Sequence, residues 1–148
     1  MKVKKTLSLR RILVPIDFSK NARRALHYAV PLAAQSGGLI TLLHVVEPVV
    51  YPTEMAIVVT NQKIAVNASR RHLAELGKKL IPDKLRGKII ARGGLPYFEI
   101  IEFAREMKAD LIVLTTHGYT GIKRVLLGGT AERIIRHAKC PVLTVRIH

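Results

Sequence analysis

Three short aliphatic runs constrain this chain most: Arg11-Ile-Leu-Val-Pro-Ile16, Leu39-Ile-Thr-Leu-Leu-His-Val-Val46 and Leu111-Ile-Val-Leu114. None alternates strictly between apolar and polar residues, which is the pattern of strands covered on both faces. Helix-length segments separate them. From Lys20 to about Gln35, Ala22, Ala25, Leu26, Ala29, Leu32 and Ala33 keep helical spacing. Ser19 is placed to cap that helix and Ser36-Gly37-Gly38 to end it. A connector with prolines at 48 and 52 precedes a longer helix, roughly Glu54 to Ile81, with Ala65, Ala68, Leu73, Leu76 and Leu80 on its core face. Leu85 to Arg92 reads as a more polar strand, suited to a sheet edge. A helix from Pro96 to Lys108 follows, with proline fitting its first turn. The last strand is expected over Pro141 to Ile147. Strands alternating with helices imply right-handed crossovers. The expected fold is therefore α/β, one open five-stranded parallel sheet with helices on both faces.

The stretch from Asp110 to Thr130 carries the strongest functional signal. Its buried strand runs into Thr115-Thr-His-Gly-Tyr-Thr-Gly121, and Gly128-Gly-Thr130 then opens a helical pattern expected to reach about Lys139. Glycines admit close backbone approach, and the first amides of a helix offer unpaired donors at the positive end of its dipole. Such a cluster at a strand end is a candidate phosphate cradle. In an open parallel sheet, ligands sit beyond the carboxyl ends of the strands, where strand order reverses. If that point lies between the first and fourth strands, Asp17 and the loop from Thr115 to Gly118 face one crevice. A carboxylate that accepts ribose hydroxyls would then stand beside a loop that holds phosphates, which is what a nucleotide requires.

The 148 residues suit a single domain, with a basic leader over residues 1–9. The leader lacks the apolar run of a signal peptide, and no stretch has the length of a membrane span, so a cytoplasmic setting without membrane insertion is expected. One cysteine, Cys140, excludes an internal disulfide framework, and its place before a strand suggests packing. The formal charge of +15 favours polyanions. The basic residues are scattered, however, and no helix-turn-helix, zinc or RNA-binding signature accompanies them. Any nucleic-acid binding is expected to be nonspecific.

The chain resembles the universal stress protein family over essentially its whole length. The resemblance rests on Arg11-Ile-Leu-Val-Pro-Ile-Asp-Phe-Ser19, Leu42-Leu-His-Val-Val46, Ala109-Asp-Leu-Ile-Val113, Thr116-His-Gly118, Leu126-Leu-Gly-Gly-Thr-Ala-Glu-Arg133 and His137-Ala-Lys-Cys-Pro-Val-Leu-Thr-Val145. It implies a Rossmann-like sheet of order 3-2-1-4-5, akin to the adenine nucleotide alpha hydrolases, and a homodimer joined through the last strand. In ATP-binding members the signature is Gly, two residues, Gly, nine residues, then Gly with Ser or Thr. Here Gly118 and Gly128 keep that spacing, Thr115 replaces the first glycine, and Gly129 takes the hydroxyl position with Thr130 one residue late. The resemblance implies that Asp17 meets the ribose, that the backbone of Val45 lies near the adenine, and that Gly118, Gly128 and Gly129 hold phosphates. Pro15, Thr115, His117, Gly121 and Thr130 complete the candidate set, with ATP, alone or with Mg2+, as the cofactor.

Other chemistry finds little footing. His117 and His44 have no nucleophile or carboxylate spaced to serve acid–base catalysis, so His117 is expected to orient its loop and His44 to be a satisfied core histidine. The sequence has no Walker lysine, metal-ligand cluster or catalytic triad. The reading is an ATP-binding regulatory, stress-response module rather than an enzyme. Two alternatives remain: a dimeric interaction protein of the same fold that has lost nucleotide binding, favoured by Gly129, and a basic nucleic-acid-associated protein, favoured by the net charge.

Overall fold

A computed structural model describes residues 7–49, 56–116 and 127–146, without the side chains of residues 56–61. Five parallel strands form one sheet: β1 (Arg11–Pro15), β2 (Leu39–Val46), β3 (Arg86–Gly93), β4 (Leu111–Thr115) and β5 (Val142–Val145). Their spatial order is β3-β2-β1-β4-β5. The helices are α1 (Lys20–Ser36), α2 (Ala56–Leu80), α3 (Pro96–Glu106) and α4 (Gly129–His137). The expected order 3-2-1-4-5 is thus the observed one.

Alternate residues of the central strands feed two cores. Ile12, Val14, Ile40, Leu42 and Val113 pack with Ala25, Leu26 and Ala29 of α1 and Leu73 and Leu76 of α2. Leu13, Leu43, Ile112 and Leu114 pack on the opposite side with Ile100 and Phe103 of α3 and Ala131 and Ile134 of α4. Each such aliphatic side chain taken from water stabilises the fold by about 1.5–3 kcal/mol, which is why both faces of these strands read as apolar.

Ser19 caps α1 as expected, its hydroxyl accepting from the Ala22 amide at 3.0 Å. At the other end Gly37 adopts φ 65°, the left-handed cap that glycine reaches without steric cost. A β-carbon on Gly38 would lie 2.0 Å from the Leu9 carbonyl oxygen, so the second glycine admits the chain that leads into β1.

Several boundaries differ from the sequence reading. Leu85 belongs to a 3-10 turn, Asp83–Leu85, and β3 begins at Arg86. The third helix stops at Glu106, and Lys108 takes φ 51°, which is incompatible with a continuing right-handed helix. The fourth helix stops at His137 rather than near Lys139, because Ala138 is extended. On α2, Leu73 and Leu76 are buried and Ala65 and Leu80 half-buried, but Ala68 is exposed and Ser69 takes the inward position. Apolar letters set the expected phase there, whereas the half-buried position falls on a small hydroxyl residue. The last strand ends at Val145; Ile147 lies outside the described residues.

Candidate functional site

The two central strands pair over Ile12↔Leu111 and Leu13↔Ile112. Beyond that point each bonds outward. Ile16 donates its amide to Leu43 of β2 at 2.8 Å, and Thr116 donates to Val145 of β5 at 3.1 Å. The chain then leaves β1 towards the α1 side and β4 towards the α4 side. A cavity of about 500 Å³ opens between them at the carboxyl ends of the strands, within the size range of small-molecule sites.

Its wall collects most of the residues that sequence reasoning named. Pro15 and Asp17 come from the end of β1, Val45 from β2, Thr115 from the end of β4, and Gly128, Gly129 and Thr130 from the start of α4. His117, Gly118 and Gly121 lie outside the described residues.

Asp17 is held by a local turn. Its Oδ1 accepts the Ser19 amide at 2.9 Å, so one oxygen fixes the turn while a carboxylate retains further acceptor capacity. The helix cap proper is Ser19. Between them Phe18 takes φ 62°, rare for a residue with a β-carbon. Its ring lies 4.4 Å from that of His44 and stacks on that of His72 at 4.3 Å, so ring contacts hold the turn in place. His44 is half-buried and also lines the cavity. Its Nδ1 lies 2.6 Å from the Ile16 carbonyl oxygen. A carbonyl only accepts, so Nδ1 carries the proton and donates, which leaves Nε2 of a neutral ring as an acceptor.

Opposite Asp17 stands the N-terminus of α4. The Gly128 amide donates to the Thr116 carbonyl at 2.7 Å and clasps the helix start to the end of β4. A β-carbon at Gly128 would press that oxygen at 3.1 Å. A β-carbon at Gly129 would meet nothing within 4 Å. The amides of Gly129, Thr130 and Ala131 precede the first helical hydrogen bond, from Glu132 to Gly128, and have no intrahelical partner. These donors and the helix dipole favour an anion. Glu132, the acid of the first turn, pairs with Arg136 at 2.9 Å. Arg133 lies 4.6 Å over the Tyr97 ring and ties α4 to α3.

Sequence reasoning missed part of the wall. Glu47, Pro96 and Ile100 line the cavity, with Ile16, Leu114 and Ile134 adding apolar surface. The rule that ligands gather at strand carboxyl ends could have singled out Glu47, one residue past β2. The same rule brings the start of α3, which follows the end of β3 at Gly93, to that end of the sheet. The described lining includes two carboxylates, Asp17 and Glu47, and neither lysine nor arginine. Among the described residues, no group of three or more His, Cys, Asp or Glu side chains is placed to hold a metal ion.

A family model for the universal stress proteins matches residues 8–146. The chain belongs to this family. A universal stress protein of Methanocaldococcus jannaschii is 34% identical over 146 residues, covering 93% of this chain and 82% of that protein. Universal stress protein UspA from Lactobacillus plantarum superposes with a TM-score of 0.75 at 27% identity, covering 95% of this chain and all of that one. A universal stress protein crystallised in complex with cAMP is similar at 26% identity and TM-score 0.63, covering 92% of this chain and 96% of that chain.

Proposed function

We propose that this universal stress protein binds an adenine nucleotide, ATP in the first instance, in the cavity between Asp17 and the start of α4, and acts as a regulatory module rather than an enzyme. The observation that carries the proposal is the cavity itself, which sets a carboxylate against the unpaired first-turn amides of a helix across an apolar wall. Apolar surface from Ile16, Val45 and Ile100 suits a purine ring. The carboxylate of Asp17 suits ribose hydroxyls, and the amides of Gly129 and Thr130 suit phosphate oxygens. The related protein in complex with cAMP supports an adenine nucleotide as the ligand class.

The charge balance shapes the reading. With two carboxylates and no described cation in the wall, phosphate charge falls to the α4 terminus. Mg2+ would arrive on the phosphates, since this ion keeps most of its ligands from water and nucleotide. Lys123 and Arg124, outside the described residues, are the nearest cations before the start of α4 in sequence. Regulation then consists of two states, nucleotide-bound and free, that differ in the surface offered to a partner or a second copy.

The second copy is proposed to pair through β5, which forms one edge of the sheet. Val142 and Leu143 on that edge are half-buried within the single chain, and bare apolar edges invite pairing. The cytoplasmic setting remains part of the proposal. No helix among the described residues is long and apolar enough to cross a membrane. Burial raises the pKa of the Cys140 thiol, which disfavours its nucleophilic thiolate form.

The deciding experiment denatures the purified protein after a high-salt wash and identifies any released nucleotide by chromatography. Calorimetric titration of ATP, cAMP and GTP into nucleotide-free protein follows. Binding of an adenine nucleotide in preference to GTP supports the reading. If no nucleotide is released and none titrates, the interaction-protein reading replaces it.

A further inference from the structure

The two helical layers carry opposite charge. On one side of the sheet, α1 has Lys20, Arg23 and Arg24 and no acid. Its neighbour α2 has Lys63, Arg70, Arg71, Lys78 and Lys79 against Glu75 alone. All eight basic side chains are exposed. Across the sheet, α3 and α4 together have three arginines against four glutamates. Each of those glutamates is within ion-pair distance of an arginine: Glu99 and Glu106 of Arg92, Glu102 of Arg105, and Glu132 of Arg136. Among the described residues, no ion pair involves a basic side chain of α1 or α2. The basic excess of the helices, which looks scattered in the sequence, is therefore gathered on one face.

We infer that the α1/α2 face binds the phosphate backbone of nucleic acid. Phe18, just before α1, stacks on His72 of α2, which sets the basic first turns of α1 beside the middle of α2. On α2, Lys63, Arg70, Arg71 and Lys78 recur at spacings of one side of a helix, and the row from Lys63 to Lys78 extends about 22 Å. A linear row of that length matches a linear polyanion. Helix stability explains only the end of it: Lys78 and Lys79 lie in the last turn of α2, where the dipole favours cations, whereas Lys63, Arg70 and Arg71 lie in the helix interior and α1 starts on Lys20 with no acid in its first turn. Nor does the face suit insertion into a bilayer, since its large exposed apolar side chains on the described surface are Tyr28 and Ile64. With little aromatic surface to stack on bases, contacts fall on phosphates and read no sequence. This inference does not depend on the nucleotide cavity, which opens at the carboxyl ends of the strands.

The test is fluorescence anisotropy of the full chain with short labelled DNA and RNA duplexes across a salt series, beside vesicles rich in anionic phospholipid. One triple variant is Arg23→Gln/Arg24→Gln/Arg71→Gln. A charge-matched control on the other side is Arg105→Gln/Lys108→Gln/Lys139→Gln. Circular dichroism confirms the fold of each. The parent should bind duplex, with the logarithm of affinity falling linearly with that of salt. The α1/α2 triple should make the slope shallower by about two to three, at about 0.9 per lost phosphate contact on B-form DNA. The control should change it by less than one. A preference between DNA and RNA identifies the polymer and supports the inference in either direction. Equal losses in the two triples would reduce the effect to net charge and overturn it, as would vesicle binding without duplex binding. No duplex binding at about 50 mM salt, where phosphate contacts are strong, would overturn it too.

Discussion

The replacement Gly129→Ser tests the nucleotide reading most directly. Gly129 stands one residue past the N-cap of α4, its side is open, and it lines the cavity. A serine there meets no steric barrier and places a hydroxyl beside the unpaired amides. A hydrogen bond to a charged group is worth about 1.5–3 kcal/mol, while fixing a small side chain opposes this by up to about 1 kcal/mol. The net is about 1–2 kcal/mol, a tightening of roughly five- to thirty-fold. Serine is also a better helix residue than glycine by about 0.5 kcal/mol, so the fold should not suffer. Calorimetric titration of ATP reads the effect, with Gly129→Ala as the control that adds the β-carbon without the hydroxyl. Gly118→Val, which the sequence signature puts at the phosphates, supplies the opposite arm and should nearly abolish binding. If folded Gly129→Ser binds ATP no tighter than Gly129→Ala, the α4 terminus does not hold the phosphates and the geometry proposed for the site is wrong.

Three further outcomes are expected. Asp17→Asn keeps an acceptor for the Ser19 amide but loses the charge, so ATP affinity should fall about five- to ten-fold with thermal stability nearly unchanged; unaltered affinity would remove Asp17 from the site. Burial raises the Asp110 pKa, but hydrogen bonds from the backbone and guanidinium of Arg11 outweigh it and hold the carboxyl below its usual range. That stabilisation is present above the unfolded pKa and is lost as pH falls through the folded one, so Asp110→Asn should cost about 0.5–1 kcal/mol at pH 7 in denaturant titration, the pair being partly exposed, and the gap to the parent should close in acid. Light scattering at micromolar concentration should give a mass near twice 16.5 kDa, and a monomer mass would refute pairing through β5.

What the sequence made legible follows from the scale of each signal. Strand runs, the Ser19 cap and the order of elements are local patterns, and the strand ends of β2 fell where expected because Glu47-Pro48 breaks a run that nothing else interrupts. The inward phase of α2 was misread at Ala68 because alanine and serine differ little in volume, and the position facing the core is decided by packing. The Asp110–Arg11 tie, which spans 99 residues, has no trace in local pattern. The site shows the same division. Asp17, Thr115 and Gly129 are legible as strand ends and a helix start, and Glu47 is within reach of the same rule, whereas Ile100 reaches the cavity only through the packing of α3.

The charge distribution was hidden for a related reason. Listed along the chain, basic residues look dispersed, since helices that share a layer are far apart in sequence. The alternation of crossovers sends α1 and α2 to one side of the sheet and α3 and α4 to the other. Nearly every acid of the helices is then left on the second side, where arginines pair with them. The helices are therefore better described as a neutralised layer and a basic one, with the rest of the +15 carried by strands, loops and termini. The cavity opens at the strand ends between the two, where the described wall has carboxylates rather than cations. A polyanion held by the basic layer and a nucleotide held by the α4 terminus would use different groups of the same fold. Salt should weaken the first steeply through its many phosphate contacts, and the second far less, because a few helix-terminus amides and apolar contact with a base release few counterions.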